Sequence, residues 1–173
     1  MTVQPIVQFP DPRLRQVDAA VTIFDTDLRA LADDLLETIR AAPGLGITAP
    51  HIGILQRLVV LDLPEAASHG VYVNPRVLWS SDEKIRHREG SVSMPGVLDE
   101  IERPAKIRLQ YQDLDGAEHV EEAEGLAAIC HQHEIDQLDG IFWIQRLSSL
   151  KRQRLIKRYE KILKSHDFAS DDD

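Results

Sequence analysis

The sequence predicts an α+β fold: mixed or antiparallel short strands around a central helix, with helices at both ends. Three observations point to it. An amphipathic helical stripe lies early in the chain. Short strand patterns with turn signals follow, without the strand–helix alternation of a parallel sheet. Two further helical segments then close the chain.

Taken in order, the first helix is expected over residues 25–40. Asp25 can cap it, Leu28, Leu31, Leu35 and Ile39 share one stripe, and Pro43-Gly44 stops it. Residues 44–53, GLGITAPHIG, crowd glycines and a proline together and read as an irregular loop. Residues 57–63, RLVVLDL, read as a buried strand, and residues 71–79 as a weaker one interrupted at Asn74-Pro75. Residues 106–112 alternate Ile107, Leu109 and Tyr111 with polar residues, as a half-buried strand does. The turn signal at 113–116 lets residues 117–121 return as a hairpin partner. The second helix covers 125–138. Leu126, Ile129 and Cys130 share a face that continues to His133 and Gln137, and Ala127, Ala128, Ile135 and Leu138 occupy the other side, so this helix is central. The third helix is expected over 148–164, with Leu150, Leu155, Tyr159, Ile162 and Leu163 roughly on one stripe.

The chain has 173 residues, enough for one domain with a real core. Residues 1–166 are read as that domain and 167–173 as an acidic, disordered tail. No apolar run approaches the length of a spanning helix, and the first residues show no export signal, so neither a membrane role nor export is expected and the cytoplasm is. The single cysteine, Cys130, rules out an intramolecular disulfide. The net charge of −9 argues against a DNA-binding role. Its distribution is uneven: residues 146–166 hold eight Lys and Arg against Glu160 alone.

The chemistry centres on HQHEIDQLDG, residues 131–140. The zinc-hydrolase signature H-E-x-x-H sets two histidines on one helical face with a Glu to take a proton from metal-bound water. Here His133 and Glu134 are present, but Gln137 stands in the second histidine's place. His131 cannot replace it, because two residues along a helix turn a side chain about 200° away. A serine nucleophile at Ser91 with His133 as base is disfavoured. Glu134 would have to orient His133, and adjacent helical residues point about 100° apart.

Three ordered blocks give the chain its resemblance. GLGITAPHIG is similar to the G-φ-G-φ-A-A-x-Q loop of bacterial peptide deformylases. REGSVSMPG, residues 88–96, is similar to their E-G-C-L-S-x-P block, and CHQHEIDQLDG to their Q-H-E-x-D-H-L-x-G helix. FPDPRLR, VNP at 73–75, Arg103-Pro104 and EGLAAIC add support. The resemblance covers nearly the whole chain. It implies a deformylase fold and hydrolysis of the N-formyl group from the initiator Met of nascent polypeptides. Fe2+ or Zn2+ would be held by a Cys and two His, with a Glu as acid/base. A Gln and a backbone N–H would stabilise the oxyanion.

On these positions the chain departs from the family. Ser91 stands for the Cys, Gln137 for the second His, His51 for the Gln and Thr48 for a small residue. Glu134 and His51 are the catalytic candidates by position, and Gly44, Gly46, Val92 and Ser93 the substrate-binding ones. His133 is the remaining metal ligand, with Ser91 and Gln137 as vestigial ligand positions. A serine hydroxyl and an amide oxygen are poor ligands for zinc or iron, so no tightly bound metal and little or no hydrolysis are expected. His51 is expected to hydrogen-bond Ser91 or Glu134. Two other readings stay open. His51 and His133, with Glu134 or Gln137, could form an altered ligand set for an active amidohydrolase. Or the chain could be a ribosome- or nascent-chain-binding module, making weak contact through the basic helix at 148–164.

Overall fold

Asp25 caps helix α1 as expected: its carboxylate accepts from the backbone N–H groups of Asp27 and Leu28, and the helix runs Thr26–Ala41. The structure is a computed structural model that describes residues 2–170. The buried stripe of α1 (Leu28, Ala32, Leu35, Leu36 and Ile39) packs on a sheet through Ile47, Leu58, Val60 and Val73. That sheet has five antiparallel strands in the order β1 (Gly46–Thr48), β2 (Leu58–Leu61), β3 (Gly70–Ser80), β6 (Lys106–Gln112) and β7 (Glu118–Glu124).

The segment expected to be an irregular loop is partly regular. Gly46 to Thr48 pair with Leu61 to Val59 as β1, and a 3-10 turn, Ala49–Ile52, follows and ends at Gly53 in the left-handed region. The interruption expected at Asn74-Pro75 is a shift of register inside a continuous β3. Asn74 has φ of 51°, and its side chain bonds both backbone groups of Val21, tying the N-terminal segment to the sheet. Proline has no N–H to give a ladder, so a bulge is where a strand tolerates it.

A second sheet is a long hairpin of β4 (Lys84–Ser91) and β5 (Met94–Pro104), not anticipated as such from the sequence. Its turn brings Ser91, Val92 and Ser93 together. Helix α2, Gly125–Leu138, matches its expected bounds. It is central: Ala128 packs with Ile107 and Leu109, while Cys130 and Leu138 pack with Val59 and Leu61. Helix α3, Ser149–Ser170, lays Leu155 and Tyr159 against Val97, Ile101, Phe142 and Trp143. It continues past Lys164, so residues 167–170, expected to be disordered, extend the helix; residues 171–173 of the expected tail lie outside the described residues. Among the described residues no helix is long and apolar enough to cross a membrane.

Candidate functional site

Helix α2, the β4–β5 turn and the segment entering β1 enclose a cavity of about 610 Å3. Val92, Met94, Val97, Leu126 and Ile129 supply apolar wall, and His51, Glu89, Ser91, Cys130, His133 and Glu134 bring polar or reactive atoms to it. The closeness of α2 to β1 requires glycine at position 46. A Cβ there would lie 2.6 Å from Leu61 Cδ2 and 2.8 Å from Glu134 Oε1. At Gly44 a Cβ would lie 2.4 Å from Ile39 Cδ1. Gly44, Gly46 and Val92 line the cavity. Ser93 is not among the lining residues: it is fully buried beneath the turn, its N–H donating to Ser91 Oγ at 3.1 Å and its carbonyl accepting from Phe9.

A buried charge network holds His133. Its Nδ1 is 2.8 Å from Glu89 Oε1. Arg103 grips both Glu89 oxygens, at 2.6 and 2.9 Å, and reaches Asp136 at 2.9 Å. Arg146 makes two further bonds to Asp136. Burial works against the Glu89 anion, but hydrogen bonds from His133 and Arg103 outweigh it and bring its pKa down to about 2. Burial likewise opposes the His133 cation, yet Glu89 and the Glu134 charge move its pKa upward on balance. Glu89, not Glu134, therefore orients His133. Sequence reasoning noted Glu89, Asp136 and Arg103 only as parts of matching blocks. In the sequence the network leaves only the Arg103-Pro104 pair as a signal; the burial of Arg103 at the end of β5 is visible in the structure alone.

Glu134 is buried on the helix side of the cavity, with Oε2 lacking any hydrogen-bond partner, and burial pushes its pKa up to about 7. His51 does not bond Ser91 or Glu134 as expected. Its Nδ1 instead lies 2.9 Å from the backbone N and 2.8 Å from the Oγ1 of Thr48, three residues earlier. The 3-10 turn brings these two together, and the Thr-x-x-His spacing is the only sequence signal of it. His51 Nε2 is buried without a partner, and burial, then the His133 charge, lowers the ring pKa to about 3. His131 faces away from the cavity and packs edge-on against Tyr72.

Of the three positions expected to carry metal ligands, Ser91 and His133 line the cavity and Gln137 does not. Gln137 is buried outside the cavity lining, and its Nε2 donates to the Leu14 carbonyl at 2.8 Å. Ser91 presents a hydroxyl where a thiolate would be needed. His51, His133 and Glu134, three members of the altered ligand set, line the same cavity, Gln137 does not, and among the described residues no three His, Cys, Asp or Glu side chains are grouped to hold a metal ion.

The comparisons agree with this architecture. The family described as polypeptide deformylase matches residues 3–153. A Brucella melitensis protein named "Peptide deformylase-like" is 68% identical over 162 residues, 94% of this chain and 99% of that protein. A "Peptide deformylase" of Rhizobium meliloti is 46% identical, covering 95% of this chain and 97% of that protein. The crystal structure of a peptide deformylase from Legionella pneumophila superposes with a TM-score of 0.90 at 34% identity, over 96% of this chain and 98% of that one. With the family matched along most of its length and the fold shared, the chain belongs to the polypeptide deformylase family.

Proposed function

We propose that this chain binds the N-termini of nascent peptides in the deformylase cavity without carrying out metal-dependent deformylation. The observation that carries this reading is Gln137. At the position expected for a metal-binding histidine, its amide is committed to the Leu14 carbonyl and does not line the cavity. One imidazole, His133, cannot hold zinc or iron against cellular competition, because affinity falls steeply with each ligand lost. The apolar walls of the cavity suit an unbranched side chain, and Gly44, Gly46 and Val92 offer backbone to an extended peptide. Glu134 and His51 act in this reading as polar contacts. The naming of the Brucella relative as deformylase-like, not deformylase, is in keeping with it. The reading assigns the protein to the cytoplasm. Calorimetry with formyl-Met-Ala-Ser tests it: binding is expected, with formate release no faster than in buffer. Multiple turnovers by metal-replete protein would overturn it.

The outer face of α3 supports a second element. Arg154, Lys157, Arg158, Lys161 and Lys164 are all exposed, while Leu155 and Tyr159 anchor the helix. This basic face is proposed to make a weak, salt-sensitive contact with the ribosome.

A further inference from the structure

A second cleft, of about 450 Å3, lies against a different face of α2 from the cavity. Four guanidinium groups line it, those of Arg57, Arg76, Arg103 and Arg146, against the three carboxylates of Glu102, Asp136 and Asp139. The carboxylates are already served: Asp136 by Arg103 and Arg146, Asp139 by Arg57, and Glu102 by Arg86. Arg76 pairs with no carboxylate among the described residues. Its Nε and Nη2 donate instead to the neutral Gln110 Oε1, at 2.9 and 2.5 Å, across the β3–β6 pair. A neutral acceptor fixes the plane of a guanidinium without cancelling its charge. Arg146, at the end of the 3-10 turn Trp143–Arg146, is fixed through the same two nitrogens on Asp136. In both arginines the opposite edge, Nη1 with the outer hydrogen of Nη2, makes no bond to another described residue. Two oriented forks with one edge open, on the wall of one cleft, match the bidentate geometry of an oxyanion. Val77 and Ile135 add apolar wall, and the volume is that of a small-molecule site.

We propose that this cleft is a phosphate-binding site, in which Arg76 and Arg146 turn their open edges to the phosphate oxygens and Arg57 adds charge. A carboxylate has two oxygens and is satisfied by one fork. A phosphate group has at least two terminal oxygens and a compact negative charge that both forks can share. The phosphate belongs to a small organic phosphate or to an RNA backbone, and the same donors serve either. Arg76 touches the ligand; Gln110 is a positioning residue that acts through it. The site is separate from peptide binding in the cavity and stands or falls without it.

Calorimetry on the full chain with inorganic phosphate, phenyl phosphate and acetate tests the site. Phosphate is expected to bind about tenfold or more tighter than acetate, the worth of one charge-assisted hydrogen bond. Phenyl phosphate should bind tighter still, because its ring covers Val77 and Ile135. Arg76→Gln should weaken both phosphates about tenfold or more. Arg76→Lys, which keeps the charge without the fork, should recover only part of that loss. Gln110→Ala, which keeps the guanidinium but frees it, should weaken binding less than Arg76→Gln does. Arg108→Gln is the control: it removes the same charge outside the cleft, where Arg108 pairs with Glu122 and lies over Trp79, and should leave the affinity unchanged. Arg76 is exposed, so its variants keep the fold, which circular dichroism verifies. In a parallel titration the Nε–H NMR signals of Arg76 and Arg146, assigned with Arg76→Gln and Arg146→Lys, should shift with one midpoint. Ribosome pelleting separates the two sources. Lower recovery of Arg76→Gln than of parent assigns the phosphate to RNA, and equal recovery with weakened phenyl phosphate binding assigns it to a small molecule. Three results overturn the site: no phosphate binding by the parent protein, affinity no better than that for acetate, or equal weakening by Arg76→Gln and Arg108→Gln.

Discussion

Gln137 Nε2 donates to the carbonyl oxygen of Leu14 at 2.8 Å, joining the central helix to a 3-10 turn 123 residues earlier in the chain. Under the proposed function, the side chain at an expected metal-ligand position serves as a structural tie. A buried carbonyl that loses its donor costs about 1–3 kcal/mol, so this position is now constrained by folding as well as by chemistry.

The first consequence concerns metal. Protein purified without chelator is expected to hold well below one zinc, iron or nickel per chain by inductively coupled plasma mass spectrometry. Stoichiometric metal that survives dialysis would show that the chain recruits donors its side-chain arrangement does not bring together.

Restoring the family's residues should restore chemistry at a cost in stability. Ser91→Cys with Gln137→His is expected to bind zinc. The same variant should lose about 1–3 kcal/mol in denaturant unfolding without metal, because Leu14 loses its donor. Adding Thr48→Ala and His51→Gln releases the loop from its Thr–His contact and supplies the family's amide donor. Formate release from formyl-Met peptides should then rise by about 10²–10³ over the two-residue variant, the usual worth of one oxyanion donor. A four-residue variant that binds metal but never hydrolyses would locate further change in the cavity walls.

The Glu89–Arg103–Asp136 network is expected to be the most sensitive point of the fold outside the apolar core. Arg103 is 3% exposed and serves two carboxylates. Arg103→Met leaves Glu89 and Asp136 partly uncompensated in the interior, a change that costs about 3–5 kcal/mol. Urea unfolding should show the loss, and the His133 ring should lose its fixed orientation by NMR. A loss of less than 1 kcal/mol would mean that Arg146 and His133 suffice to hold the two acids.

The parts of this architecture legible in the sequence were those whose pattern follows burial. Helix α2 and strand β6 have the bounds the sequence pattern predicts: β6 turns Ile107 and Leu109 to one core, and α2 buries apolar residues on two sides. The β4–β5 hairpin escaped notice because charge occupies both of its faces. Arg86 pairs with Glu102 outside, while Glu89 and Arg103 fill buried positions that an alternating pattern would give to apolar residues. At the site, His133 and Glu134 could be read from spacing on one helix. The commitment of Gln137 to Leu14 could not, since its partner is remote in sequence and is a backbone atom. The pairing of Thr48 with His51 needed the 3-10 turn that residues 49–52 adopt.

Asp18 offers a test of buried charge away from the cavity. Its carboxylate is 4% exposed and neither oxygen has a hydrogen-bond partner. Burial pushes its pKa up to about 7; Arg57 lowers it and Asp139 raises it, and those two residues pair with each other. The folded state therefore holds a proton that the unfolded chain has released between the ordinary carboxylate pKa and about 7. Asp18 thus penalises folding increasingly as pH rises through that window, and fully above it. Asp18→Asn should raise the melting temperature more at pH 8 than at pH 4.5. An equal shift at both would mean that the carboxylate stays ionised throughout.

The last prediction concerns the basic face of α3. Deleting the helix is a poor test, because Leu155 and Tyr159 are fully buried against Phe142 and Trp143 and their removal would open the core. Charge substitution on the exposed face avoids this. Arg154→Glu, Lys157→Glu, Arg158→Glu and Lys161→Glu together should leave folding intact, since single surface changes usually move stability by less than about 0.5 kcal/mol. Contacts to phosphate release counterions, so affinity should fall linearly with salt on logarithmic axes, and the substituted protein should lose both the affinity and the slope. Removing Asp171, Asp172 and Asp173 withdraws like charge from an RNA surface and should strengthen binding. Pelleting with purified ribosomes at two salt concentrations compares the three forms. Recovery that is equal for parent and substituted protein, with circular dichroism unchanged, would reduce the basic face to a solvated complement of the acidic body.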